Sequence, residues 1–210
     1  MKDYIESLKW RYATKKYDAG KKISTEDLET LKEAVRLSVS SMGLQPYRVM
    51  VVEDDNIREK LKAAAYNQSG ITEASHLFVF ASEKNVGTTH IDAYIDNISN
   101  VREVEKETLR PFEGMIQGYL KDKTEEFKNT WAAKQAYIAL STLINTAAVM
   151  HIDATPMEGF DAQQFDKILE LDKLGLTTTV IATVGYRHNE DSFQHLKKVR
   201  KPEEELFITI

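Results

Sequence analysis

Residues 131–150 read WAAKQAYIALSTLINTAAVM, a long, alanine-rich and nearly continuously apolar stretch. Alanine is the strongest helix former, so this composition favours a helix. Apolar side chains such as Trp131, Ile138 and Leu143 cover more than one helical stripe, which is typical of a helix buried on several sides. We therefore expect this helix to form either the centre of the domain or part of a subunit interface.

Three apolar runs rich in β-branched or aromatic residues lie outside this helix and predict strands. They are residues 47–52, 77–81 and 177–184. Helical stretches separate them without a regular alternation of strand and helix. With only about three or four separated strands, the pattern favours an α+β fold over a doubly wound parallel sheet.

Further helices are marked by residues that commonly cap helix N-termini. Ser24 precedes a helix predicted over about residues 25–39, Asp54 precedes a second helix, and Asp161 precedes a third. A short N-terminal helix is expected to lead into Arg11. These helices would cover the predicted sheet.

The middle and the end of the chain differ from this pattern. Residues from about 90 to 125 are strongly charged, and Pro111 breaks a helix there or begins another. We expect this part to be an excursion from the main core. The segment from Leu206 to Ile210 is apolar and strand-like, so we predict that it adds to a sheet, either of this chain or of a partner subunit.

Length and composition predict one domain and argue against several classes of protein. The chain has 210 residues and a formal net charge of −5, which disfavours general binding to nucleic acid or anionic membranes. It contains no cysteine, so disulfides and thiolate catalysis are excluded. No apolar run reaches the roughly 20 residues that span a bilayer, and the N-terminus lacks an apolar signal core. We expect a cytoplasmic protein.

Motifs of several common enzyme classes are absent as well. The sequence has no G-x-G-x-x-G, no Walker loop and no G-x-S-x-G, so a Rossmann dinucleotide site and an α/β-hydrolase site are unsupported. The five histidines show no metal-binding spacing. We therefore predict no metal site.

Two cationic clusters lie near opposite ends of the chain. Arg11 and Lys15 are four residues apart, on one face if the segment is helical, and Lys198 and Arg200 lie in a basic run. Like charges at such spacing repel each other, whereas a bound anion would reverse that effect. Each cluster alone is also typical of a solvated surface. If the two meet in the fold, they form a phosphate cage inside an acidic protein.

Uncharged polar side chains and a glycine turn supply a second kind of candidate residue. Ser40, Ser41, Gln45 and Asn67 offer the donors and acceptors that a ribityl chain or a flavin ring edge needs, although ordinary polar loops explain them nearly as well. Residues 156–159 read Pro-Met-Glu-Gly and predict a turn. Because glycine permits close backbone approach, that turn can present N–H groups to a flat ring.

In their order along the chain, these motifs resemble those of the nitroreductase family of FMN-dependent NAD(P)H oxidoreductases. The matching segments are RYATK (11–15), SSMGLQPY (40–47), YNQ (66–68), PMEGF (156–160) and KVR (198–200). The resemblance implies a single FMN-binding domain over residues 1–210, with a variable helical excursion at about 84–128. It also implies an α+β, nitroreductase-like fold: a central, mostly antiparallel sheet flanked by helices, with the C-terminal strand exchanged in a homodimer.

The resemblance also assigns roles to individual residues. Lys15 and Glu158 are the catalytic residues that it implies: Lys15 stabilises the reduced flavin, and Glu158 has mainly a positioning role. The FMN-binding residues that it implies are Arg11, Tyr12, Ala13, Lys15, Ser40, Ser41, Gln45, Asn67, Pro156, Met157, Glu158, Gly159, Lys198 and Arg200.

Two positions depart from the family pattern. Gly43 stands where the loop motif usually carries asparagine, so one polar contact to the flavin is either lost or supplied by a neighbour. Gly70 stands where some members carry a lysine near the flavin, which would stabilise the reduced, anionic ring less unless Lys15 suffices.

The activity that the resemblance implies is transfer of hydride from NADH or NADPH through flavin N5 to a nitroaromatic, a quinone or a similar small acceptor, by a ping-pong mechanism. Two alternatives stay open. One is a flavin-binding protein without NAD(P)H turnover, and the other is a specialised flavin enzyme of the same fold, dehalogenase-like or flavin-fragmenting.

Overall fold

A computed structural model describes residues 2–210 and shows one four-stranded antiparallel sheet in the order β1-β2-β4-β3. The strands are β1 (Tyr47–Val52), β2 (His76–Glu83), β3 (Asp153–Met157) and β4 (Leu176–Gly185). The helices are α1 (Lys2–Trp10), α2 (Thr25–Arg36), α3 (Asp55–Ala64), α4 (Gly70–Glu73), α5 (Thr88–Arg102), α6 (Arg110–Lys121), α7 (Glu125–Val149), α8 (Ala162–Ile168) and α9 (Glu203–Leu206). The predicted α+β class, with an antiparallel sheet flanked by helices, is confirmed.

The two central strands contain the best-predicted apolar runs. Every residue of β2 is buried, because β2 pairs with β1 on one side and with β4 on the other and is covered on both faces. The predicted helix caps are also confirmed: the side chains of Ser24, Asp54 and Asp161 each accept a hydrogen bond from a backbone N–H in the first turn. The helix predicted over 25–39 ends earlier, at Arg36.

The fourth strand, β3, corrects the expected turn at residues 156–159. Pro156 and Met157 belong to β3 and pair with Ala182 and Ile181 of β4. Proline is tolerated here because β3 is an edge strand, where a missing backbone donor costs no ladder hydrogen bond on the open side. Only Glu158 and Gly159 remain in the loop that follows the strand.

Helix α7 lies against the sheet and forms the centre of the main core. Its residues Ala139, Leu143 and Ala147 are buried in a cluster with Phe78 and Val180 of the sheet. Another face of the same helix stays open, since more than a third of the side-chain surface of both Tyr137 and Ile138 is exposed. The helix is thus the domain centre and also presents an uncovered apolar face.

Helices α5 and α6 build a second apolar cluster away from the sheet. Ile91 and Ile95 of α5 pack with Ile116 and Leu120 of α6 and with Trp131 at the start of α7. Pro111 lies in the first turn of α6, where its missing N–H needs no partner, so it begins this helix. That residues 84–128 are a variable helical excursion of a single FMN-binding domain stays a prediction.

The C-terminal tail is not part of the sheet of this chain. Leu206 ends α9, and residues 207–210 lie in no strand among residues 2–210. Their apolar side chains are exposed, Ile208 by 85%. Exchange of this tail with a partner subunit stays a prediction. No helix within residues 2–210 is long and apolar enough to cross a bilayer.

Candidate functional site

The Arg11–Lys15 segment is a loop fixed by a buried carboxylate. Helix α1 ends at Trp10, so Arg11 and Lys15 are not in a helix and do not share a helical face. Asp191 instead accepts hydrogen bonds from the backbone N–H of Lys15 (2.8 Å) and from the Tyr12 hydroxyl (2.9 Å). Burial opposes the charge of this carboxylate, but its hydrogen bonds outweigh burial and hold the pKa of Asp191 below its ordinary value.

A buried ion pair connects this loop to strand β3. The guanidinium of Arg187 donates to Asp153, the first residue of β3, at 2.7 Å. The same guanidinium lies over the rings of Trp10 and Tyr12, at 4.1 and 4.5 Å from the ring centroids. The Thr14 hydroxyl donates to the same Oδ1 atom of Asp153 that accepts the 2.7 Å bond from Arg187. The loop therefore has a fixed position relative to the end of β3.

Both predicted cationic clusters meet beside this loop. They line a cavity of about 490 Å³, and Lys198 donates a hydrogen bond to the carbonyl of Arg11. The predicted site residues that line it are Arg11, Tyr12, Ala13, Lys15, Pro156, Lys198 and Arg200. Residues separated by almost the whole chain thus form one basic cavity.

The cations Arg11, Lys198 and Arg200 of this cavity have no ion-pair partner among residues 2–210. Only the more distant charges of Tyr17 and Asp153 raise the pKa of Arg11. Burial, and then the positive charge of Arg200, lower the pKa of Arg11; burial and the charges of Arg11 and Arg200 lower the pKa of Lys198. No carboxylate in residues 2–210 lies within 4.0 Å of these cations, and the buried Nε of Arg11 has no hydrogen-bond partner there. A bound anion would supply both the missing charge and the missing acceptor.

The loop after β3 is held in place from two directions. The Tyr137 hydroxyl donates to Glu158 at 2.6 Å, and burial together with this bond raises the pKa of Tyr137 to about 12. Gln68 donates its amide to the carbonyl of Gly159 at 2.7 Å. Pro156, Met157 and Glu158 line a second cavity of about 500 Å³ against α7. Since Pro156 lines both cavities, the basic cavity and this apolar one adjoin each other.

Asn67 lies next to this loop, with its side chain exposed. Its backbone has a φ of 57°, a left-handed conformation that asparagine adopts more readily than most residues. The neighbouring Gln68 makes the contact to Gly159 described above. Asn67 itself lines neither cavity.

The remaining predicted residues lie elsewhere, in the loop between α2 and β1. Ser41 donates its backbone N–H to the side chain of Gln135 on α7, and the Ser40 hydroxyl accepts from the backbone of Gln45. Gln45 lines a third cavity of about 570 Å³ beside β1, and none of these three residues lines the basic cavity. The structure of one chain therefore does not bring them together with Arg11.

Four further residues support the site but carry no sequence motif: Asp153, Arg187, Asp191 and Tyr137. Each acts through a partner far away in the sequence, so local spacing gives no sign of it. Within residues 2–210, no three His, Asp or Glu side chains are grouped so as to hold a metal ion.

Comparison of the sequence with known proteins points to one family. The model of the nitroreductase family matches residues 8–186. A Staphylococcus epidermidis protein provisionally named NAD(P)H nitroreductase is 36% identical over 215 residues, covering 98% of this chain and 96% of that protein.

Solved structures show the same fold. A provisionally named nitroreductase of Bacillus subtilis matches with a TM-score of 0.89 at 23% identity, covering 100% of both chains. A provisionally named nitroreductase from Exiguobacterium sibiricum, solved in complex with FMN, matches with a TM-score of 0.84 at 19% identity, covering 99% of this chain and 97% of that one. On the extent of the family match and the identity to the staphylococcal relative, this chain belongs to the nitroreductase family.

Proposed function

We propose that this protein is an FMN-dependent oxidoreductase that uses NADH or NADPH as reductant. The observation that carries the proposal is the unbalanced basic cavity, in which Arg11, Lys198 and Arg200 repel one another around the unpartnered Nε of Arg11. In a protein with a net charge of −5, such a concentration of cations is a site for a small anion. The phosphate of FMN has the charge and the acceptor oxygens that these groups lack.

The neighbouring residues suit the rest of the cofactor. Lys15 and the backbone of Tyr12 and Ala13 would hold the ring edge, and the strand end at Pro156 and Met157 would lie under the ring. Glu158, tied to Tyr137, keeps the Gly159 loop in one position. When bound, FMN would take a hydride from the nicotinamide at N5 and pass electrons to a small acceptor, such as a nitroaromatic or a quinone, in the two half-reactions of a ping-pong cycle.

Lys15 is the residue best placed to stabilise added negative charge on the ring, since it lines the basic cavity without forming an ion pair within residues 2–210. Its ammonium lies 5.7 Å from the centroid of the Phe193 ring, which leaves its hydrogen-bond donors available. Water can supply the protons that the acceptor needs, because the cavity opens to solvent. The protein thus contributes binding, orientation and charge.

We also propose that the active form is a homodimer in which Ser40, Ser41 and Gln45 come from the partner subunit's copy of the loop. They do not reach the basic cavity of their own chain, and α7 leaves the apolar side chains of Tyr137 and Ile138 exposed nearby. A second copy packed on this face would cover these side chains and complete the cofactor site. The cytoplasmic location expected from the sequence stays a prediction.

A groove beside β1 gives the exchanged tail a place to bind. Strand β1 is an edge strand, so one row of its backbone groups is open. The 570 Å³ cavity along it is lined by the apolar residues Val49, Val51 and Phe78. It is also lined by three cations, Lys32, Arg36 and Arg48, which form ion pairs with Glu29, Glu33 and Glu83. The tail has apolar residues at 206–210 that match the apolar lining, and its glutamates at 203–205 would exchange with the present carboxylate partners of the three cations.

Deletion of residues 206–210 is therefore expected to weaken the dimer, because the groove beside β1 loses the apolar segment that would fill it. Sedimentation velocity of the full chain and of the deletion variant over a range of concentrations measures this directly. A deletion variant that stays as dimeric as the full chain would contradict tail exchange.

The absorption spectrum of the purified protein, before and after anaerobic addition of NADH or NADPH, tests the proposed activity. We expect an oxidised flavin spectrum that bleaches with at least one nucleotide and recovers when a quinone is added. A bound flavin that stays oxidised would favour the binding protein without turnover. A colourless protein that takes up no added FMN would overturn the proposal.

A further inference from the structure

One loop position near the proposed cofactor site has no side chain, and a residue from another helix occupies its space. Gly43 has a φ of 74°, a conformation that favours glycine. A Cβ built at this position would lie 3.2 Å from the Cζ atom of Tyr94 and would collide with the Tyr94 hydroxyl. The hydroxyl thus lies where a side chain of residue 43 would project.

Tyr94 is held firmly in this position. It belongs to α5, its ring packs edge-on against Phe112 with the centroids 6.3 Å apart, and Met42 lies in the same apolar cluster. Within residues 2–210, no group forms a hydrogen bond with its hydroxyl. Tyr94 lies with Leu44 and Gln45 at the 570 Å³ cavity whose β1 side is the groove proposed for the tail. A tyrosine fixed by its ring with an unused hydroxyl is well suited to bind a polar ligand atom.

The residue type at position 43 suggests a role for the Tyr94 hydroxyl. The resemblance to the family's loop motif implies an asparagine at position 43, and this chain has glycine there. We propose that Tyr94 supplies the polar group that position 43 lacks, so that its hydroxyl donates a hydrogen bond to the FMN held by the Ser40–Gln45 loop. This inference rests on the proposed function, and it makes Tyr94 a cofactor-binding residue contributed by the helical excursion.

The same placement connects the excursion to cofactor binding. Met42 and Leu44 flank Gly43 and pack into the cluster built by α5 and α6. Because the loop and Tyr94 are both attached to that cluster, a change in α5 alters the position of the hydroxyl and of the loop together. The size of residue 43 and the identity of residue 94 are therefore coupled.

A double-mutant cycle tests the coupling. FMN dissociation constants are measured by fluorescence quenching on the apoprotein of the wild type, of Gly43→Asn, of Tyr94→Leu and of the Gly43→Asn/Tyr94→Leu double variant, which close the cycle. Tyr94→Phe is measured beside them to isolate the hydroxyl. Tyr119→Phe is the matched control, since Tyr119 is a tyrosine of the same excursion that packs on Phe127 and Trp131, away from the loop. Circular dichroism melts show that each variant is folded.

Tyr94→Phe is expected to weaken FMN binding about three- to tenfold, the loss of one hydrogen bond to a ligand. Gly43→Asn alone should weaken it at least as much, because the new side chain collides with Tyr94. The double variant should bind FMN more tightly than Gly43→Asn, since leucine leaves room for the asparagine, which tolerates a positive φ. The control should bind like the wild type.

Two results would overturn the inference while leaving the proposed function intact: wild-type FMN affinity in Tyr94→Phe, or no recovery in the double variant. If Tyr94→Phe weakens the dimer in sedimentation but leaves the FMN dissociation constant of the saturated dimer unchanged, the hydroxyl belongs to the groove for the tail and the inference is wrong. Failure of the wild type itself to bind FMN would overturn the proposed function and this inference with it.

Discussion

The two loops that carry most of the predicted cofactor residues are built in opposite ways. The Arg11–Lys15 loop is fixed by buried charges, Asp153 with Arg187 and Asp191 with backbone donors, and it opens on cations that the protein leaves unbalanced. The Ser40–Gln45 loop is fixed by neutral hydrogen bonds, from its own residues and from Gln135, and its polar groups are largely satisfied. The difference indicates which loop needs a charged ligand and which needs a second subunit.

The largest effect is expected from removing the ion pair between Asp153 and Arg187. Asp153→Ala leaves the partly buried Arg187 without its carboxylate partner and should lower the free energy of unfolding by about 3 kcal/mol. Urea unfolding followed by circular dichroism measures it. The control is Glu29→Ala, which removes an exposed ion pair with Lys32 and should cause no measurable change. Equal stability of the two variants would show that the Asp153–Arg187 ion pair is not needed for folding.

The next effect concerns the unbalanced cations. Lys15→Ala and Arg200→Ala should each weaken FMN binding by about 1.5–3 kcal/mol, roughly ten- to 150-fold, because a charge-assisted hydrogen bond is lost. Arg200→Ala should not destabilise the apoprotein, since it relieves the repulsion on Arg11. Lys201→Ala, a neighbouring cation outside the cavity, is the control in the FMN titration. Unchanged FMN affinity in both Lys15→Ala and Arg200→Ala would refute the site.

A smaller effect is expected in the neutral loop. Gln135→Ala removes the acceptor of the Ser41 N–H and should cost about 1 kcal/mol of stability. The half-buried position of Ser41 lets water replace part of the lost bond. Chemical denaturation of Gln135→Ala beside Gln117→Ala, whose amide bonds only to Glu113 on the surface of α6, measures the difference. A loss of unfolding free energy as large as that of Asp153→Ala would show that the two loops do not differ in how strongly they are held.

The smallest effect is a dependence on pH. The pKa of Asp191 is held below its ordinary value in the folded protein, so its carboxylate stabilises the fold fully above the unfolded-state pKa of about 3.9. This stabilisation is lost as the pH falls through the lower, folded-state pKa. The stability difference between wild type and Asp191→Asn should therefore be constant near neutrality and shrink below about pH 4. A difference that does not vary with pH would be inconsistent with this role, and exposed Asp122→Asn provides the reference.

Local sequence patterns predicted much of the fold because local physics determines those elements. The apolar runs of β1, β2 and β4, the existence of α7 and the side-chain caps all depend on neighbouring residues, although α7 begins at Glu125, before the predicted start at Trp131. Strand β3 was missed because Pro156 and Gly159 favour a turn, and only pairing with β4, a contact between distant residues, makes the segment a strand.

In the site, too, local motifs were predictable and contacts between distant residues were not. The motifs predicted that Arg11, Lys15, Lys198 and Arg200 meet, and they line one cavity. The sequence did not predict Asp191 or Arg187, because these residues act on partners far from them in the chain. It also gave no reason to connect Gly43 with Tyr94, since no local pattern shows which distant side chain fills the space that a glycine leaves.

The central claim is that the basic cavity holds the phosphate of FMN, and a comparison of FMN with riboflavin tests it most directly. Riboflavin has the same ring and ribityl chain but no phosphate. Calorimetric titration of the apoprotein should show FMN binding at least tenfold more tightly than riboflavin, with the advantage falling as salt is added. Equal affinity for the two flavins, independent of salt, would contradict the account.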